Sequence, residues 1–154
     1  MSATEGNAAP DFSLPGDGGK NVRLTDLKGK NVVVYFYPKD DTSGCTAEAI
    51  DFTAHLPDFA AADTEIIGIS KDTVAKHDKF KAKHDLKVTL ASDEDCAVCE
   101  AYGVWVEKSM YGRKYMGIER ATFLLDGDGV IRNVWRKVKV KGHAEAVLNA
   151  AKEI

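Results

Sequence analysis

The sequence predicts an α/β fold with a mixed central sheet and helices on both faces. Two runs of β-branched and aromatic residues, 31–37 and 64–70, are typical of strands that are buried on both faces. A helical pattern follows each run. Two later apolar runs are joined by an Asp-Gly-Asp-Gly turn at 126–129, which indicates a β-hairpin. Strands that alternate with helices early in the chain, followed by a hairpin, give a mixed sheet.

The remaining elements are predicted from apolar spacing and from the residues that begin and end helices. Residues 1–20 predict an irregular chain, and Pro57 predicts a kink or a restart in the helix that begins near Cys45. In chain order the elements are a helical turn at 24–27, a helix from about 45, a helix at 74–84, a short strand at 87–90, a helix from about 96 to 102, strands at 121–125 and 130–138, and a helix at 143–153. A thioredoxin-like arrangement fits this order, although the order alone does not select it over other small α/β folds.

Length and composition predict a single domain, residues 1–154. The chain has 154 residues, of which 44% are apolar, enough for one core. The formal net charge of -3 gives no indication of a general nucleic-acid or membrane-surface binder. No apolar run approaches the roughly 18–20 residues that span a bilayer, and residues 1–7 lack the basic and apolar regions of a signal peptide. We therefore expect a soluble, cytoplasmic protein.

The three cysteines, Cys45, Cys96 and Cys99, are too few and of the wrong parity for a disulfide framework. Cys45 follows a predicted strand, Pro38 and a polar loop, and it lies in the first turn of a helix. Backbone N–H groups are unpaired there and the helix dipole is positive, so both stabilise a thiolate over a thiol. The alternative is that Cys45 is a small buried apolar residue; the polar loop before it argues against that interpretation.

Several separated motifs resemble those of one family. Pro38, Thr42 and Cys45 match the Pro-x-x-x-Thr-x-x-Cys motif of peroxiredoxins. The segments similar to the bacterioferritin-comigratory-protein (PrxQ) subfamily are 44–49, 102–105, 108–112 and 117–123. The resemblance runs from about residue 9 to residue 148. It implies a thioredoxin-like fold and an antioxidant, thiol-dependent peroxidase without a cofactor, which reduces hydrogen peroxide and organic hydroperoxides through a cysteine sulfenic acid.

The resemblance also implies a role for each matching residue. Cys45 is then the peroxidatic nucleophile, and the Thr42 hydroxyl can donate to an oxygen beside the thiol. Pro38 shields the thiol and shapes the loop. Arg120 favours the thiolate and holds the peroxide, because its guanidinium stays charged and offers several donors. Glu48 orients Arg120. The alternatives for these two residues are an exposed helix residue for Glu48 and a solvated strand-edge charge for Arg120.

The sequence departs from the subfamily at the resolving cysteine, the second cysteine whose thiol reduces the sulfenic acid. A sulfenic acid is usually reduced by a second thiol, and the two positions where the subfamily places it hold Ile50 and Lys81 here. Cys96 or Cys99 could pair with Cys45 after local unwinding, because a disulfide needs Cα atoms within about 7 Å. The alternative is a one-cysteine enzyme reduced by an external thiol. The resemblance implies thioredoxin or a similar dithiol as reductant, and a monomer.

Other kinds of site are less well supported. Cys96 and Cys99 form a Cys-x-x-Cys pair without a second ligand pair, and we expect His77 and His84 to be solvated, so no metal site is predicted. The basic, alternating segment from Arg136 to Lys141 offers a non-enzymatic alternative, a thioredoxin-fold binding module for an acidic partner or nucleic acid. We expect this segment instead to be an edge strand protected by lysines.

Overall fold

The computed structural model describes residues 3–154 and contains a five-stranded mixed sheet in the order β5-β4-β3-β8-β9. The strands are β1 (Ser13–Pro15), β2 (Asn21–Arg23), β3 (Asn31–Phe36), β4 (Thr64–Ser70), β5 (Thr89–Ser92), β6 (Trp105–Met110), β7 (Arg113–Ile118), β8 (Ala121–Leu125) and β9 (Ile131–Trp135). Strands β3, β4 and β5 are parallel, whereas β8 and β9 run antiparallel to their neighbours. The predicted mixed sheet is confirmed.

Strand β3 lies at the centre of the sheet, as its uninterrupted apolar run predicts. Successive side chains of a strand point to opposite faces. Accordingly Val34 and Phe36 pack into one apolar cluster and Val33 and Tyr35 into another, and all four are at most 1% exposed. We refer to the cluster that contains Val34 as the first face and to the cluster that contains Val33 as the second face.

The helices are α1 (Ser43–Ala54), α2 (Leu56–Ala61), α3 (Val74–His84), α4 (Ala97–Ala101) and α5 (His143–Lys152). Helices α1, α2, α3 and α5 contribute buried side chains to the second face, and α4 contributes to the first. The expected restart at Pro57 is present, since α1 ends at Ala54 and α2 carries the proline in its first turn. The apolar stripe predicted for the last helix is buried in α5, so helices cover both faces of the sheet.

Two hairpins lie outside the five-stranded sheet and carry no clear sequence signal. Strands β1 and β2 pair within the region predicted to be irregular, and β6 pairs with β7 in a segment to which the sequence analysis assigned no strand. Most side chains of β6 and β7 are half-buried or exposed, so apolar alternation does not mark these strands. The strand expected at 87–90 is β5, two residues further along the chain.

The basic segment that starts at Arg136 does not form the edge strand predicted for it. Strand β9 ends at Trp135, and the chain from 136 to 142 is irregular up to the start of α5. Its alternation of lysine and valine satisfies the period of a strand, but within residues 3–154 it forms no strand ladder. Its Val138 N–H donates to the carbonyl of Arg120, which lies between β7 and β8. The interpretation of this segment as a strand was therefore wrong.

Within residues 3–154, the helices are too short or too polar to cross a lipid bilayer. The first two residues of the segment considered for a signal peptide lie outside the described residues.

Candidate active site

Cys45 lies in the first turn of α1, beyond the carboxyl end of β3. Thr42 immediately precedes the helix, and its carbonyl accepts a hydrogen bond from the Thr46 N–H at 2.8 Å. The thiol therefore lies where helical N–H groups lack partners within the helix and the dipole is positive. Cys45 is only 2% exposed and packs within the second face. The sulfur is therefore largely shielded from bulk water and lies at the positive end of the helix dipole.

Arg120 joins the thiol to a buried carboxylate. Its Nη2 donates to Cys45 Sγ at 3.3 Å, and its Nη1 donates to Glu48 Oε1 at 2.6 Å. Glu48 lies three residues after Cys45, so both side chains project from neighbouring turns of α1. Arg120 lies between β7 and β8, and Glu48 is 1% exposed. Glu48 is therefore not an exposed helix residue, and Arg120 is not a solvated charge at a strand edge.

Burial and charge oppose each other in this pair. Burial raises the pKa of Glu48 from 4.5 to about 7, and the nearby Arg120 guanidinium only partly offsets that rise. Burial alone would lower the pKa of Arg120, but the negative charges of Glu48 and Cys45 outweigh it and raise the pKa. The guanidinium therefore stays charged, and the orienting carboxylate titrates close to neutral pH.

Two further basic side chains lie within the electrostatic field of Arg120. Burial, followed by the charge of Arg120, lowers the pKa of Lys108, whose Nζ donates to the Ile118 carbonyl at 2.5 Å. Burial, again followed by Arg120, lowers the pKa of His143 to about 4, so its imidazole is neutral at pH 7. His143 Nε2 lies 2.7 Å from the Thr122 hydroxyl oxygen. Arg120 itself contacts the thiol, through the hydrogen bond from Nη2 to Cys45 Sγ.

Gly44 makes room for the guanidinium, a requirement that the sequence analysis did not identify. A Cβ atom at this position would lie 3.0 Å from Arg120 Nη2 and would meet no other side chain within 4 Å. The signal in the sequence is a glycine immediately before the cysteine, in the first turn of a helix where glycine has no conformational advantage.

Pro38 and Thr42 lie in the loop between β3 and α1, which leads into the helix that carries Cys45. Pro38 is half-buried and follows Tyr37, the buried residue just after β3. Thr42 is exposed, and its hydroxyl donates to the Lys39 carbonyl at 2.9 Å. Its proton is thus used within the loop, and the expected donation to an oxygen beside the thiol is not the arrangement observed. The hydroxyl oxygen retains lone pairs that can accept a hydrogen bond.

The other two cysteines lie on the opposite side of the sheet from Cys45. Cys96 and Cys99 pack within the first face, and all three cysteines are unbridged thiols. Burial, together with the Asp93 carboxylate, raises the pKa of both Cys96 and Cys99. Asp93 also accepts hydrogen bonds from the backbone N–H groups of Val98 and Cys99 at the start of α4. Both thiols are therefore held protonated, in a setting that disfavours nucleophilic attack.

The expectation that His77 is a solvated surface residue was wrong. His77 is fully buried, and its ring nitrogens lie 2.6 Å from Asp40 Oδ2 and 3.1 Å from the Ala91 carbonyl oxygen. His84 is partly exposed and contacts Asp41. The lysine-rich pattern of the helix hid this difference, because His77 shares the inward face of α3 with Phe80 while most of the residues around them are exposed. Within residues 3–154, no three or more His, Cys, Asp or Glu side chains are grouped to hold a metal ion.

The sequence is similar to known peroxiredoxins along almost its whole length. The model of the AhpC/TSA family matches residues 6–134. A putative peroxiredoxin bcp of Coxiella burnetii is 53% identical over 148 residues, which cover 96% of this chain and 98% of that protein. Peroxiredoxin Bcp of Bacillus subtilis is 49% identical over 154 residues, which cover 100% of this chain and 98% of that protein.

The fold is also similar to that of solved structures. One of them is the structure of Xanthomonas campestris bacterioferritin comigratory protein, a protein with alkyl peroxide reduction activity, which superposes with a TM-score of 0.88. The two sequences are 48% identical, and the match covers 92% of this chain and 90% of the other.

Proposed function

The chain belongs to the AhpC/TSA family, and from that membership we propose that Cys45 is the nucleophile of its reaction. It is a thiol peroxidase of the peroxiredoxin type, with a hydroperoxide as substrate and a thiol as reductant. The observation that carries the assignment of Cys45 is the donation of Arg120 Nη2 to its sulfur at 3.3 Å. The comparisons favour this activity over the alternative of a non-catalytic binding module.

In the first step, the Cys45 thiolate attacks the terminal oxygen of the hydroperoxide ROOH. An S–O bond forms as the O–O bond breaks, so sulfur is oxidised to a sulfenic acid and the peroxide is reduced. The leaving alkoxide takes up a proton and departs as alcohol, or as water when the substrate is hydrogen peroxide. Negative charge grows on the peroxide oxygens during this displacement. Arg120 stabilises that charge, because its donors are already directed to the reacting sulfur.

The neighbouring residues would prepare the thiol and the peroxide for this step. Glu48 orients the guanidinium by accepting from Nη1, which leaves Nη2 for Cys45 and the bound peroxide. With its hydroxyl proton donated to the Lys39 carbonyl, the oxygen of Thr42 can accept a hydrogen bond from the peroxide O–H. Pro38 has no N–H and borders the thiol without competing for hydrogen bonds.

A thiol then reduces the sulfenic acid. It condenses with the sulfenic acid of Cys45 to form a mixed disulfide and water. A second thiol of the reductant then attacks the mixed disulfide, which releases Cys45 as a thiol and leaves the reductant as a disulfide. Because Cys96 and Cys99 pack on the opposite face of the sheet, we propose that an external thiol, rather than either of these residues, resolves Cys45. We propose thioredoxin or a similar dithiol for this role.

The assembly and cellular location belong to the same proposal. We propose that residues 1–154 form a single domain that acts as a monomer in the cytoplasm, and that both hydrogen peroxide and organic hydroperoxides are substrates.

One experiment tests the nucleophile and the route of resolution together. The reduced protein is treated with one equivalent of hydrogen peroxide, and its peptides are mapped by mass in the presence of a sulfenate-trapping reagent. We expect the trapped sulfenate on Cys45 and no peptide linked to Cys96 or Cys99. Cys45→Ser should lose all peroxidase activity. A trapped sulfenate on another cysteine would refute the nucleophile, and a Cys45–Cys96 or Cys45–Cys99 peptide would refute external resolution.

A further inference from the structure

A buried polar cluster lies beneath the loop that carries Pro38 and Thr42. Asp40, in the middle of that loop, is 7% exposed, and His77 on α3 is fully buried. The Tyr37 hydroxyl donates to Asp40 Oδ1 at 2.5 Å, and His77 Nδ1 lies 2.6 Å from Asp40 Oδ2. The peroxidase reaction described above does not use any of these three side chains directly.

The partners of His77 determine where the protons are. The Ala91 carbonyl can only accept, so Nε2 of His77 must carry a hydrogen and donate to it. Nδ1 faces a carboxylate oxygen, and a contact of 2.6 Å between them requires one more proton. This proton lies between His77 and Asp40 whether the pair is written as imidazolium and carboxylate or as imidazole and carboxylic acid. The pair is therefore a closed hydrogen-bonded unit without net charge.

The same unit fixes the backbone of the loop. The Asp40 N–H donates to Asp72 Oδ2 at 2.7 Å, and the buried Asp72 carboxylate also accepts from the Ser70 hydroxyl at 2.8 Å. At the start of the loop, the Tyr37 N–H donates to the Ile69 carbonyl at 3.1 Å. The side chain of Asp40 is thus held by Tyr37 and by His77 on α3, and its backbone N–H is held by Asp72, which follows β4.

Stability alone does not explain a buried polar unit of this kind. Removing a carboxylate and an imidazole from water is costly, and apolar side chains of similar volume often stabilise a core at least as well. A unit of this kind does provide a single defined geometry. The loop whose geometry it defines contains Pro38 and Thr42 and leads directly into the helix that carries Cys45.

We propose that Asp40 and His77, with Tyr37, are positioning residues that hold Pro38 and Thr42 in place around the peroxide. This inference rests on the peroxidase function proposed above. Because Arg120 and α1 stabilise the Cys45 thiolate, whereas the loop serves the peroxide, disrupting the pair should slow the reaction with peroxide and leave the thiolate reactive.

The test compares three substitutions in single-turnover oxidation by hydrogen peroxide and in alkylation by iodoacetamide. Asp40→Ala should slow the peroxide reaction by about tenfold to a hundredfold and leave alkylation and the fraction of thiolate, read from absorbance at 240 nm, unchanged. Asp40→Asn should restore most of the rate, because its oxygen can accept from Tyr37 and its NH2 can donate to Nδ1 of a neutral His77. Tyr37→Phe, which removes one hydroxyl and keeps the ring, should slow the peroxide reaction about fivefold.

Asp41→Asn is the matched control. It removes the same charge from the adjacent loop position, where the side chain is exposed and pairs with Lys83 and His84, and it should leave both reactions unchanged. The positioning role is wrong if Asp40→Ala slows alkylation by iodoacetamide as much as it slows oxidation by peroxide. It is also wrong if Asp40→Asn reacts with peroxide as slowly as Asp40→Ala does. If Asp40→Ala fails to fold, the rate of the peroxide reaction in Tyr37→Phe tests the proposal in its place. A wild-type rate in that variant overturns the proposal. Cys45→Ser is measured in parallel, because residual peroxide reaction there would refute the peroxidase assignment instead.

Discussion

At the scale of single residues, the site depends on a guanidinium with two simultaneous contacts. Arg120 holds Glu48 through one terminal nitrogen and Cys45 through the other. The planar fork of arginine can make both contacts in a fixed geometry, and lysine, with one compact ammonium, cannot. Glu48 accepts a hydrogen bond from one end of this fork, and Gly44 leaves space for the other end.

Arg120→Lys should retain a positive charge and lose most of the activity. The ammonium cannot bridge the carboxylate and the sulfur while also meeting the peroxide, so we expect the rate of Cys45 oxidation to fall by about a hundredfold to a thousandfold. Stopped-flow measurement of the first oxidation step provides the rate. Arg132→Lys, at an exposed ion pair with Asp126, is the control and should match the wild type. A rate within threefold of the wild type in Arg120→Lys would show that charge alone suffices.

Gly44→Ala should slow the same step through steric contact. Its Cβ would lie 3.0 Å from Arg120 Nη2, and the guanidinium, held by Glu48, must shift away from Cys45. We expect about a tenfold lower rate of oxidation, whereas Ser43→Ala, in the same turn and exposed, should have no effect. A crystal structure of Gly44→Ala with Arg120 unmoved and a normal rate would contradict this prediction.

The raised pKa of Glu48 predicts how stability depends on pH. The Glu48 carboxyl group holds its proton more tightly in the folded protein than in the unfolded chain, because folding raises its pKa from 4.5 to about 7. The contribution to stability is therefore complete below about pH 4.5 and is lost as the pH rises through about 7. Relative to Glu48→Gln, which cannot titrate, the wild-type free energy of unfolding should fall by on the order of 2–3 kcal/mol between pH 5 and pH 8.

Urea unfolding of the two proteins at pH 5, 6, 7 and 8 measures this difference. Titrating groups that do not interact with Glu48 are common to both proteins and cancel in the comparison. A difference that stays constant over the range would mean that Glu48 does not titrate there.

At the scale of the elements, the central sheet separates the cysteines by chemistry as well as by position. Helix α1 presents Cys45 to the second face beside a guanidinium, and α4 presents Cys99 to the first face beside the Asp93 carboxylate. A neighbouring cation favours a thiolate, and a neighbouring carboxylate disfavours it. We therefore expect the two helix starts to hold thiols of different reactivity.

Replacing Cys96 and Cys99 together with serine should leave the first oxidation step within about twofold of the wild-type rate, because neither thiol contacts the site. Turnover with dithiothreitol should also be retained. The free energy of unfolding should fall by about 1–3 kcal/mol, since hydroxyl groups replace thiols in an apolar cluster. Peroxide consumption and urea unfolding are measured on the same preparations. Loss of the first step in a folded double variant would place one of these cysteines in the chemistry.

At the scale of the whole molecule, apolar clusters pack on both faces of one sheet. The central strands β3 and β8 supply side chains to both apolar clusters, so neither cluster can lose its packing without exposing the other side of the same strands. Trp105 packs against the first face and Trp135 against the second. Each tryptophan therefore reports on a different cluster.

If residues 1–154 are a single domain, both clusters should unfold together. Denaturant unfolding of Trp105→Phe and of Trp135→Phe, each followed by the fluorescence of the remaining tryptophan and by circular dichroism, should give coincident transitions within each variant. Two separated transitions in either variant would mean that the two faces unfold independently.

The sequence alone determined the elements that have a strong local pattern. The apolar run of β3, the strand β4, the helix α3 and the stripe of α5 were predicted close to their observed bounds, because a side chain's face within an element follows from its position in the chain. The placement of Cys45 at a helix start was likewise local. The roles of Arg120 and Glu48 came from the family resemblance and not from their own surroundings in the sequence.

Only the tertiary structure decided which side chains meet. It buried His77 against Asp40, 37 residues away along the chain, brought the Arg120 guanidinium into the space that a side chain at Gly44 would occupy, and placed Cys96 and Cys99 across the sheet from Cys45. It also formed the hairpin of β6 and β7, whose exposed side chains carry little pattern. These outcomes depend on contacts between distant segments, and the local periodicity of a sequence records which face of an element is buried but not what packs against it.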